Sequence, residues 1–248
     1  MTENLNGKVA LVTGAAARLG RAIAIGLADS GCDLILHYGH SQKDAERIAA
    51  EIRACGRRAM LLRADLSKSK QTLRLARDAE VVFGRVDILI NSAAIFRPTP
   101  LEKLNEKELD AFLQINLKSP YLLSSEIGRR MKKRGAGCII NLACLTAQRP
   151  WKNYLPYSIS KAGLVSMTLG MALLLSPEVR VNAIAPGAVL LPTDATPTYR
   201  RALINAAPLK KIGAPEDIVL AVRYLCQASF VTGQILGVDG GRAIRNNE

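Results

Sequence analysis

The 248-residue sequence predicts a doubly wound α/β fold, in which a parallel sheet of about seven strands carries helices on both faces. Two observations support this prediction. Short apolar runs rich in β-branched residues alternate with helix-period segments from one end of the chain to the other. Several of the runs are apolar without interruption, which is typical of parallel strands that are buried on both faces. Because no linker, repeat or low-complexity segment divides the chain, we predict a single domain over residues 1–248.

The predicted strands are, in order, Val9–Val12, Leu34–Tyr38, Ala59–Arg63, Ile88–Asn91, Cys138–Leu142, Val179–Ile184 and Ile235–Val238. Helical patterns lie between them at Lys43–Ala54, Gln71–Glu80, Glu106–Lys133, Ser160–Leu175 and Pro215–Cys226. The Ser160–Leu175 segment is apolar almost all round, so it needs cover on more than one side. Core burial or a subunit interface would supply that cover, and we favour the interface.

The charge and composition exclude several classes of protein. The net charge of +13 is spread along the chain, and aromatic residues make up only 4%, too few for a base-stacking surface. We therefore expect no nucleic-acid partner, and a basic surface that attracts an anionic ligand. No apolar run looks long enough to span a bilayer, and the first residues lack the pattern of a signal peptide. Five cysteines without metal-type spacing indicate free thiols, no metal site and a cytoplasmic location.

The first predicted strand runs directly into the segment TGAAARLG, residues 13–20, which leads into a helical pattern. A tight glycine turn at this point lets backbone N–H groups and the helix dipole bind a pyrophosphate. Gly14 and Gly20 supply two glycines of such a turn, and Arg18 and Leu19 occupy its middle. The pattern predicts a dinucleotide site in a Rossmann-type domain.

The second predicted strand ends in HYGHS, residues 37–41. An NAD site usually has an acidic residue near this point to hold the ribose 2′-hydroxyl, and none is present. Instead His37, His40 and Ser41, together with Arg18, offer donors and positive charge, as a 2′-phosphate requires. The pattern favours NADPH, with the alternative that the two histidines are ordinary loop residues.

Tyr157 and Lys161 are four residues apart, which places both on one face of a helix. A phenol with a pKa of about 10 exchanges its proton poorly at neutral pH. A neighbouring ammonium favours the phenolate, so we expect Lys161 to lower the pKa of Tyr157. The pair could then protonate the heteroatom of a C=O or C=N bond that receives a hydride, and Lys161 could also reach the nicotinamide ribose.

With these motifs in this order, the chain resembles the short-chain dehydrogenase/reductase family from about Lys8 to Gly241. The segments ADLS, NSAA and NAIAPG also resemble family motifs. The resemblance implies that Asn116 is catalytic and holds a water in a proton relay that starts at Lys161. It also implies cofactor contacts at Asp65, Leu66, Asn91, Ser92, Ala93, Pro186 and Gly187, and at Tyr157 and Lys161 themselves.

Within the family the chain most resembles the pteridine reductases. Their arginine-bearing turn and H-Y-x-x-S strand end, which includes Tyr38, look like TGAAARLG and HYGHS, and IFRPTPL resembles their segment after the fourth strand. The resemblance implies that Phe96 stacks on a pterin ring, sandwiching it against the nicotinamide; the alternative is a loop aromatic that packs on the domain. The chain departs from the subfamily at Cys144, where an aspartate is usual, and at Ala94, where a polar residue is usual.

Cys144 lies 13 residues before Tyr157, where the family usually has a serine. Its thiol would contact the substrate and orient the reacting atom as a weaker donor than a hydroxyl. The alternative is a small buried residue that serves packing. One such hydrogen bond contributes roughly 1–3 kcal/mol in a transition state, so a thiol should slow the reaction without abolishing it.

These observations predict an NADPH-dependent reductase of a small conjugated or cyclic substrate, with a dihydropterin as the best single candidate. One alternative is a 3-oxoacyl-thioester or general ketone reductase, which uses the same proton donor. Another is a catalytically silent NADPH-binding sensor. Residues 187–208 are expected to form a flexible substrate lid, and the family resemblance implies a homotetramer.

Overall fold

Seven parallel strands form one sheet in the computed structural model, which describes residues 3–192 and 194–244. They are β1 (Val9–Val12), β2 (Asp33–Tyr38), β3 (Ala59–Arg63), β4 (Ile88–Asn91), β5 (Gly137–Leu142), β6 (Val179–Pro186) and β7 (Ile235–Val238). Their order in the sheet is β3-β2-β1-β4-β5-β6-β7. The chain adds strands outward from β1 on one side and from β4 on the other, so the strand order switches between these two. The predicted doubly wound fold is confirmed, and each strand lies within two residues of its predicted bounds.

Eight α-helices are present among the described residues, and most of them cover the two faces of this sheet. They are α1 (Arg18–Asp29), α2 (Gln42–Ala54), α3 (Ser69–Phe83), α4 (Glu106–Leu113), α5 (Ser119–Arg134), α6 (Leu155–Leu175), α7 (Pro197–Ala206) and α8 (Pro215–Gln227). Along β1, Ala10 and Val12 belong to one hydrophobic cluster, and Val9 and Leu11 belong to the other. Because successive side chains of a strand point to opposite faces, a sheet buried on both sides requires an unbroken apolar run.

The single helix predicted over Glu106–Lys133 is wrong. α4 and α5 are separated by a π-helical turn at Gln114–Lys118, in which the N–H of Ser119 donates to the carbonyl of Gln114. Pro120 has no N–H to donate to the carbonyl of Asn116, so the regular hydrogen-bond ladder cannot continue through this point. Hydrophobic periodicity alone does not report such an interruption.

Helix α6 begins five residues before the predicted Ser160 and therefore contains Tyr157. Its length and composition would allow it to cross a membrane, so the expectation that no run is long enough is wrong on that criterion. Its inner side packs in the core through Met171 and Leu175, while Leu173 and Leu174 remain 82% and 71% exposed. Core burial thus covers one side, and the subunit interface stays a prediction for the other.

The predicted lid at residues 187–208 contains helix α7, which its irregular sequence pattern did not indicate. The helix begins where the hydroxyl of Thr196 accepts a hydrogen bond from the N–H of Tyr199 at 3.2 Å. No residue of α7 is fully buried, so the helix lies over the domain surface. Thr193, within the predicted lid, lies outside the described residues.

Candidate active site

The site lies where α6 passes the carboxyl end of β5. Tyr157 and Lys161 are both buried on α6, 7% and 3% exposed. The Lys161 Nζ donates to the carbonyl oxygen of Leu142, the last residue of β5, at 2.6 Å. It also lies 5.7 Å from the centroid of the Tyr157 ring. The one-turn spacing in the sequence therefore brings a phenol and an ammonium to the same enclosed space.

Burial dominates the protonation of this pair. It raises the pKa of Tyr157 well above its ordinary value, and the charge and hydrogen bonding of Cys144 act in the same direction. Burial also lowers the pKa of Lys161 to about 8, against an opposing effect of Cys144. The expected net lowering of the Tyr157 pKa is wrong for this arrangement, because burial is the largest cause of the shift and raises the pKa. Tyr157 therefore carries its proton at neutral pH.

Cys144 contacts the proton donor directly. It follows β5 with an extended backbone, and its side chain is buried in a cluster with Phe112 and Tyr157. Its thiol shares a hydrogen bond with the Tyr157 side chain. The two alternatives raised by the sequence therefore coincide, because Cys144 both packs in the cluster and lies beside the phenol.

Asn116 joins the segment after β4 to helix α6. Its Oδ1 accepts the N–H of Ile95 at 2.8 Å, and its Nδ2 donates to the Ile95 carbonyl at 3.0 Å and to the Ser160 hydroxyl at 3.1 Å. Both amide hydrogens are thus used within the protein. A water in the implied relay would have to bind the backbone carbonyl, which the missing N–H of Pro120 leaves without its usual helical partner.

Aromatic side chains are concentrated beside Tyr157. Five of the eleven aromatic residues of the chain form one cluster, which contains Phe96, Phe112, Trp151, Tyr154 and Tyr157. Phe96 stacks on Tyr154 with centroids 4.9 Å apart and meets the Tyr157 ring edge-on at 4.9 Å. It is nevertheless 54% exposed, so part of its surface remains open. Sequence reasoning identified Phe96 but missed Trp151 and Tyr154, although both lie in the short stretch before Tyr157.

The glycine turn after β1 forms a backbone cradle that side chains would fill. Gly14 has a φ of +67°, and a Cβ there would lie 3.0 Å from the Cα of Ala93. A Cβ on Gly20 would lie 2.2 Å from the carbonyl oxygen of Gly14. Only glycine fits at these positions, and the turn leads directly into α1. The residues present therefore fit the pyrophosphate of a dinucleotide, as the sequence predicts.

His37 does not bind a phosphate, and that part of the prediction is wrong. It is buried, with Nδ1 accepting the N–H of Gly14 at 3.1 Å and Nε2 lying 3.1 Å from the carbonyl of Ala64. Burial lowers the pKa of His37 to about 4, so the ring is neutral at pH 7. The neighbouring Tyr38 is also buried, against Ala16 and Ala45. Both side chains support the glycine turn from behind.

The other predicted phosphate ligands remain exposed at the ends of β1 and β2. They are Arg18, His40 and Ser41. Arg18 extends to the carbonyl of Leu190, at the start of the lid, at 3.5 Å. A cavity at this edge of the sheet is lined by Gly39, His40, Arg63, Asp65, Gln71 and Arg74. Arg63, which sequence reasoning missed, pairs with Tyr38 in the sheet register and so lies beside the strand end that was singled out.

Asp65 also faces this cavity. Its carboxylate accepts the backbone N–H of Ser67 at 2.9 Å, and its pKa is lowered mainly by a hydrogen bond from the Ser67 side chain. Leu66 is buried, and its carbonyl accepts from the Ser119 hydroxyl at 2.7 Å. Leu19 packs against the core below the turn. Of these three, the carboxylate of Asp65 is therefore the group that a cofactor could reach by its side chain.

The residues that the resemblance places beside the nicotinamide offer mainly backbone groups. Asn91 is buried, and its amide donates to Ser124 at 3.1 Å and to Asn141 at 2.8 Å, so its side chain serves the core. The N–H groups of Ser92 and Ala93 donate to the hydroxyl of Thr13 at 2.9 and 3.0 Å, which joins β4 to the glycine turn.

Pro186 and Gly187 close this edge at the end of β6. The N–H of Gly187 donates to the carbonyl of Val238 at 2.9 Å. A Cβ on Gly187 would lie 2.6 Å from the Cα of Asp239, so only glycine fits at this position. The close approach fixes the start of the lid against the end of β7.

A Rossmann-type sheet with a glycine turn after its first strand and a buried tyrosine–lysine pair defines a nicotinamide-dependent oxidoreductase. A family model described as Enoyl-(Acyl carrier protein) reductase matches residues 14–243. A 3-oxoacyl-[acyl-carrier-protein] reductase of Synechocystis sp. is 33% identical over 242 residues, which cover 96% of this chain and 97% of that protein. The chain belongs to the short-chain dehydrogenase/reductase family.

Solved structures agree with this assignment. A 7α-hydroxysteroid dehydrogenase complexed with NADH and 7-oxo glycochenodeoxycholic acid superposes with a TM-score of 0.90 at 34% identity, covering 96% of each chain. A blue fluorescent protein from a metagenomic library, in complex with NADPH, gives a TM-score of 0.90 at 33% identity, covering 97% of this chain and 100% of that one. Proteins of this fold therefore bind either nicotinamide cofactor, and the likeness to pteridine reductases stays a prediction from the sequence.

Proposed function

We propose that the protein is an NADPH-dependent ketone reductase that acts on a small cyclic or conjugated substrate. The observation that carries this proposal is the protonated Tyr157, buried between Cys144 and Lys161. A buried phenol that retains its proton at neutral pH is a proton donor, which reduction of a carbonyl requires.

A bound reduced nicotinamide would supply the hydride to the carbonyl carbon. Negative charge then develops on the carbonyl oxygen, and the phenol of Tyr157 donates its proton to that oxygen. The ammonium of Lys161 stabilises the resulting phenolate, because the two groups share a low-dielectric space. Cys144 donates a hydrogen bond from its thiol to the same oxygen. Lys161 then gives a proton to the phenolate of Tyr157, and a water on the backbone carbonyl of Asn116 would return a proton to Lys161.

NADPH is the proposed cofactor because cations replace the acid that would hold a ribose hydroxyl. Arg63 and His40 line the cavity at the end of β2, and Arg18 is exposed at the start of α1, after β1. Asp65 lies across the same cavity, after β3, where the family resemblance implies adenine binding. A 2′-phosphate beside Arg18 and Arg63 would form charge-assisted hydrogen bonds that NADH cannot form.

A dihydropterin is a second candidate substrate, favoured by the position of Phe96. Its ring is 54% exposed and meets Tyr157 edge-on, so a flat heterocycle could stack on it next to the proton donor. Phe96→Ala should then raise the KM for a dihydropterin a few-fold to about tenfold, since stacking of one ring contributes roughly 0.5–1.5 kcal/mol. Binding of NADPH should be almost unchanged.

The deciding experiment is NADPH oxidation by the purified protein with aryl ketones, acetoacetyl thioesters and dihydropterins, using Tyr157→Phe as the inactive control. Turnover of ketones that Tyr157→Phe abolishes supports the proposal. Turnover of dihydropterins alone would favour the second candidate. Tight NADPH binding without oxidation by any substrate would contradict both and favour a cofactor-binding sensor.

We further propose a small-molecule substrate, a homotetramer and a cytoplasmic location. All five cysteines are free, which fits a reducing compartment. The uncovered apolar side of α6, with Leu169, Leu173 and Leu174 exposed, is the surface that a second subunit would cover.

A further inference from the structure

The aromatic cluster beside Tyr157 continues outward from the proton donor. Trp151, the only tryptophan of the chain, meets Phe96 edge-on with centroids 6.5 Å apart and Tyr154 at 6.0 Å. Beyond it, the guanidinium carbon of Arg242 lies 4.8 Å from the centroid of the Trp151 ring. The wall of the site therefore runs from the phenol over aromatic surface and ends in a cation.

The charge of Arg242 has no carboxylate partner among the described residues, where every ion pair involves another cation. The acid on its own loop is Asp239, whose carboxylate accepts the N–H groups of Gly241 at 2.8 Å and Ala243 at 2.6 Å. A guanidinium stacked on a ring keeps its N–H groups in its own plane, where they remain able to bind an anion.

Space for an anion is present beside this guanidinium. Arg242 lines a cavity of about 300 Å³ that also includes Lys211 and, from lid helix α7, Leu203. Asp217 and Asp239 also line this cavity, but their carboxylates accept backbone N–H groups of Ala214, Gly241 and Ala243. An anion in the cavity would therefore be bound by Arg242 and Lys211. Residues of the lid and of the segment after β7 line this cavity, and Arg242 joins it to the aromatic wall at Trp151.

We propose that the substrate is a flat aromatic or fused-ring ketone with a carboxylate at the end far from the reacting carbonyl. The rings lie on Phe96 and Trp151, the carbonyl reaches Tyr157, and the carboxylate binds the fork of Arg242. Aromatic surface is the preferred partner of a flat ring, and guanidinium that of a carboxylate. This inference rests on the proposed ketone reduction and names its substrate class. A saturated acyl chain would leave the aromatic wall without a stacking partner.

The test uses a matched pair of two-ring ligands, 4′-acetylbiphenyl-4-carboxylate and its methyl ester, with the full-length protein saturated with NADP⁺. Because Trp151 is the only tryptophan, its fluorescence reports binding at this wall without any need for turnover. Wild type should bind the carboxylate at least about tenfold more tightly than the ester, the ratio expected for a hydrogen bond between charged groups.

Two substitutions separate charge from geometry. Arg242→Gln should raise the Kd of the carboxylate by about tenfold and leave that of the ester almost unchanged, whereas Arg242→Lys should lie between, since it keeps the charge but loses the fork. Arg77→Gln, an equal loss of charge at an exposed site on α3, should change neither Kd.

Several outcomes would overturn the inference. The first is equal affinity of wild type for the acid and the ester. The second is an equal loss of affinity for both ligands in Arg242→Gln. The third is no change in Trp151 fluorescence in an enzyme that reduces other ketones. Binding of the carboxylate that depends on Arg242, with no NADPH oxidation by wild type, would instead support the anion site and contradict the proposed reduction.

Discussion

The Nδ1 atom of His37 accepts the backbone N–H of Gly14 at 3.1 Å. Because Nδ1 is the acceptor, the ring hydrogen must be on Nε2, which donates it to the carbonyl of Ala64 at 3.1 Å. One neutral imidazole thus joins the glycine turn to the ends of β2 and β3. A histidine that the sequence suggests as a phosphate ligand instead holds the phosphate turn in place.

This arrangement makes the protein sensitive to acid. Burial lowers the folded pKa of His37 from 6.5 to about 4, so the unfolded chain takes up the proton first as pH falls. Stability should therefore decrease below pH 6.5, with a loss at pH 4 of about 3 kcal/mol from this residue. Denaturant unfolding across that pH range measures the effect.

His37→Gln should reduce this loss, since glutamine stays neutral and keeps both an acceptor and a donor. The matched control is His40→Gln, because His40 is the only other histidine of the chain and is exposed. If His40→Gln reduces the acid sensitivity as much as His37→Gln does, the burial of His37 is not its cause.

Cofactor choice should depend on Arg18 and Arg63. Replacing either by alanine should weaken NADPH by about tenfold and NADH much less, because a charge-assisted hydrogen bond to the 2′-phosphate is lost. Steady-state KM values for the two cofactors measure this, with Arg77→Ala on α3 as the control. Equal losses for both cofactors would show that neither arginine contacts the 2′-phosphate.

Cys144 should orient the substrate without being essential. Cys144→Ser restores a stronger donor and should keep or raise ketone turnover, whereas Cys144→Ala should lower it by no more than about tenfold. Tyr157→Phe removes the proton and should nearly abolish turnover. A Cys144→Ala enzyme as inactive as Tyr157→Phe would mean that the thiol takes part in the chemistry.

Lys161 should lower stability at neutral pH. Its pKa falls from 10.5 to about 8 on folding, so a penalty of about 3 kcal/mol is present below pH 8 and disappears as pH rises toward 10.5. Lys161→Met loses the hydrogen bond of a charged ammonium to Leu142, worth about 2 kcal/mol, and should therefore be about 1 kcal/mol more stable at neutral pH. The difference, measured by denaturant unfolding, should diminish between pH 8 and 10. A variant that is less stable at neutral pH would contradict this.

The exposed side of α6 should form a subunit interface. We expect a homotetramer by light scattering, and Leu173→Glu should dissociate it, because a buried unpaired carboxylate is unfavourable. Val81→Glu, at a similarly exposed site on α3, should leave the mass unchanged. A wild-type monomer at micromolar concentration would leave the apolar side of α6 without a partner copy.

The sequence alone determined the class of fold and the position of the site along it. Apolar runs and their spacing indicated all seven strands, and the runs of inner strands such as β1 and β4 are apolar because both faces of the sheet are buried there. The glycine turn and the Tyr157–Lys161 pair were equally readable, since their geometry comes from neighbours within one or two turns of chain. The break at Asn116 was missed although Pro120 signals it locally, whereas the contacts of Asn116 with Ile95 and Ser160 come from distant segments and were not readable.

Only the tertiary structure decided what each side chain does there. His37 and His40 are three residues apart, yet one is buried and neutral and the other exposed. Arg63 reaches the cofactor edge because β3 pairs with β2, and Arg242 reaches Trp151 from 91 positions further along the chain. Protonation and ligand contacts depend on burial and on which distant segments meet, and local sequence patterns carry neither.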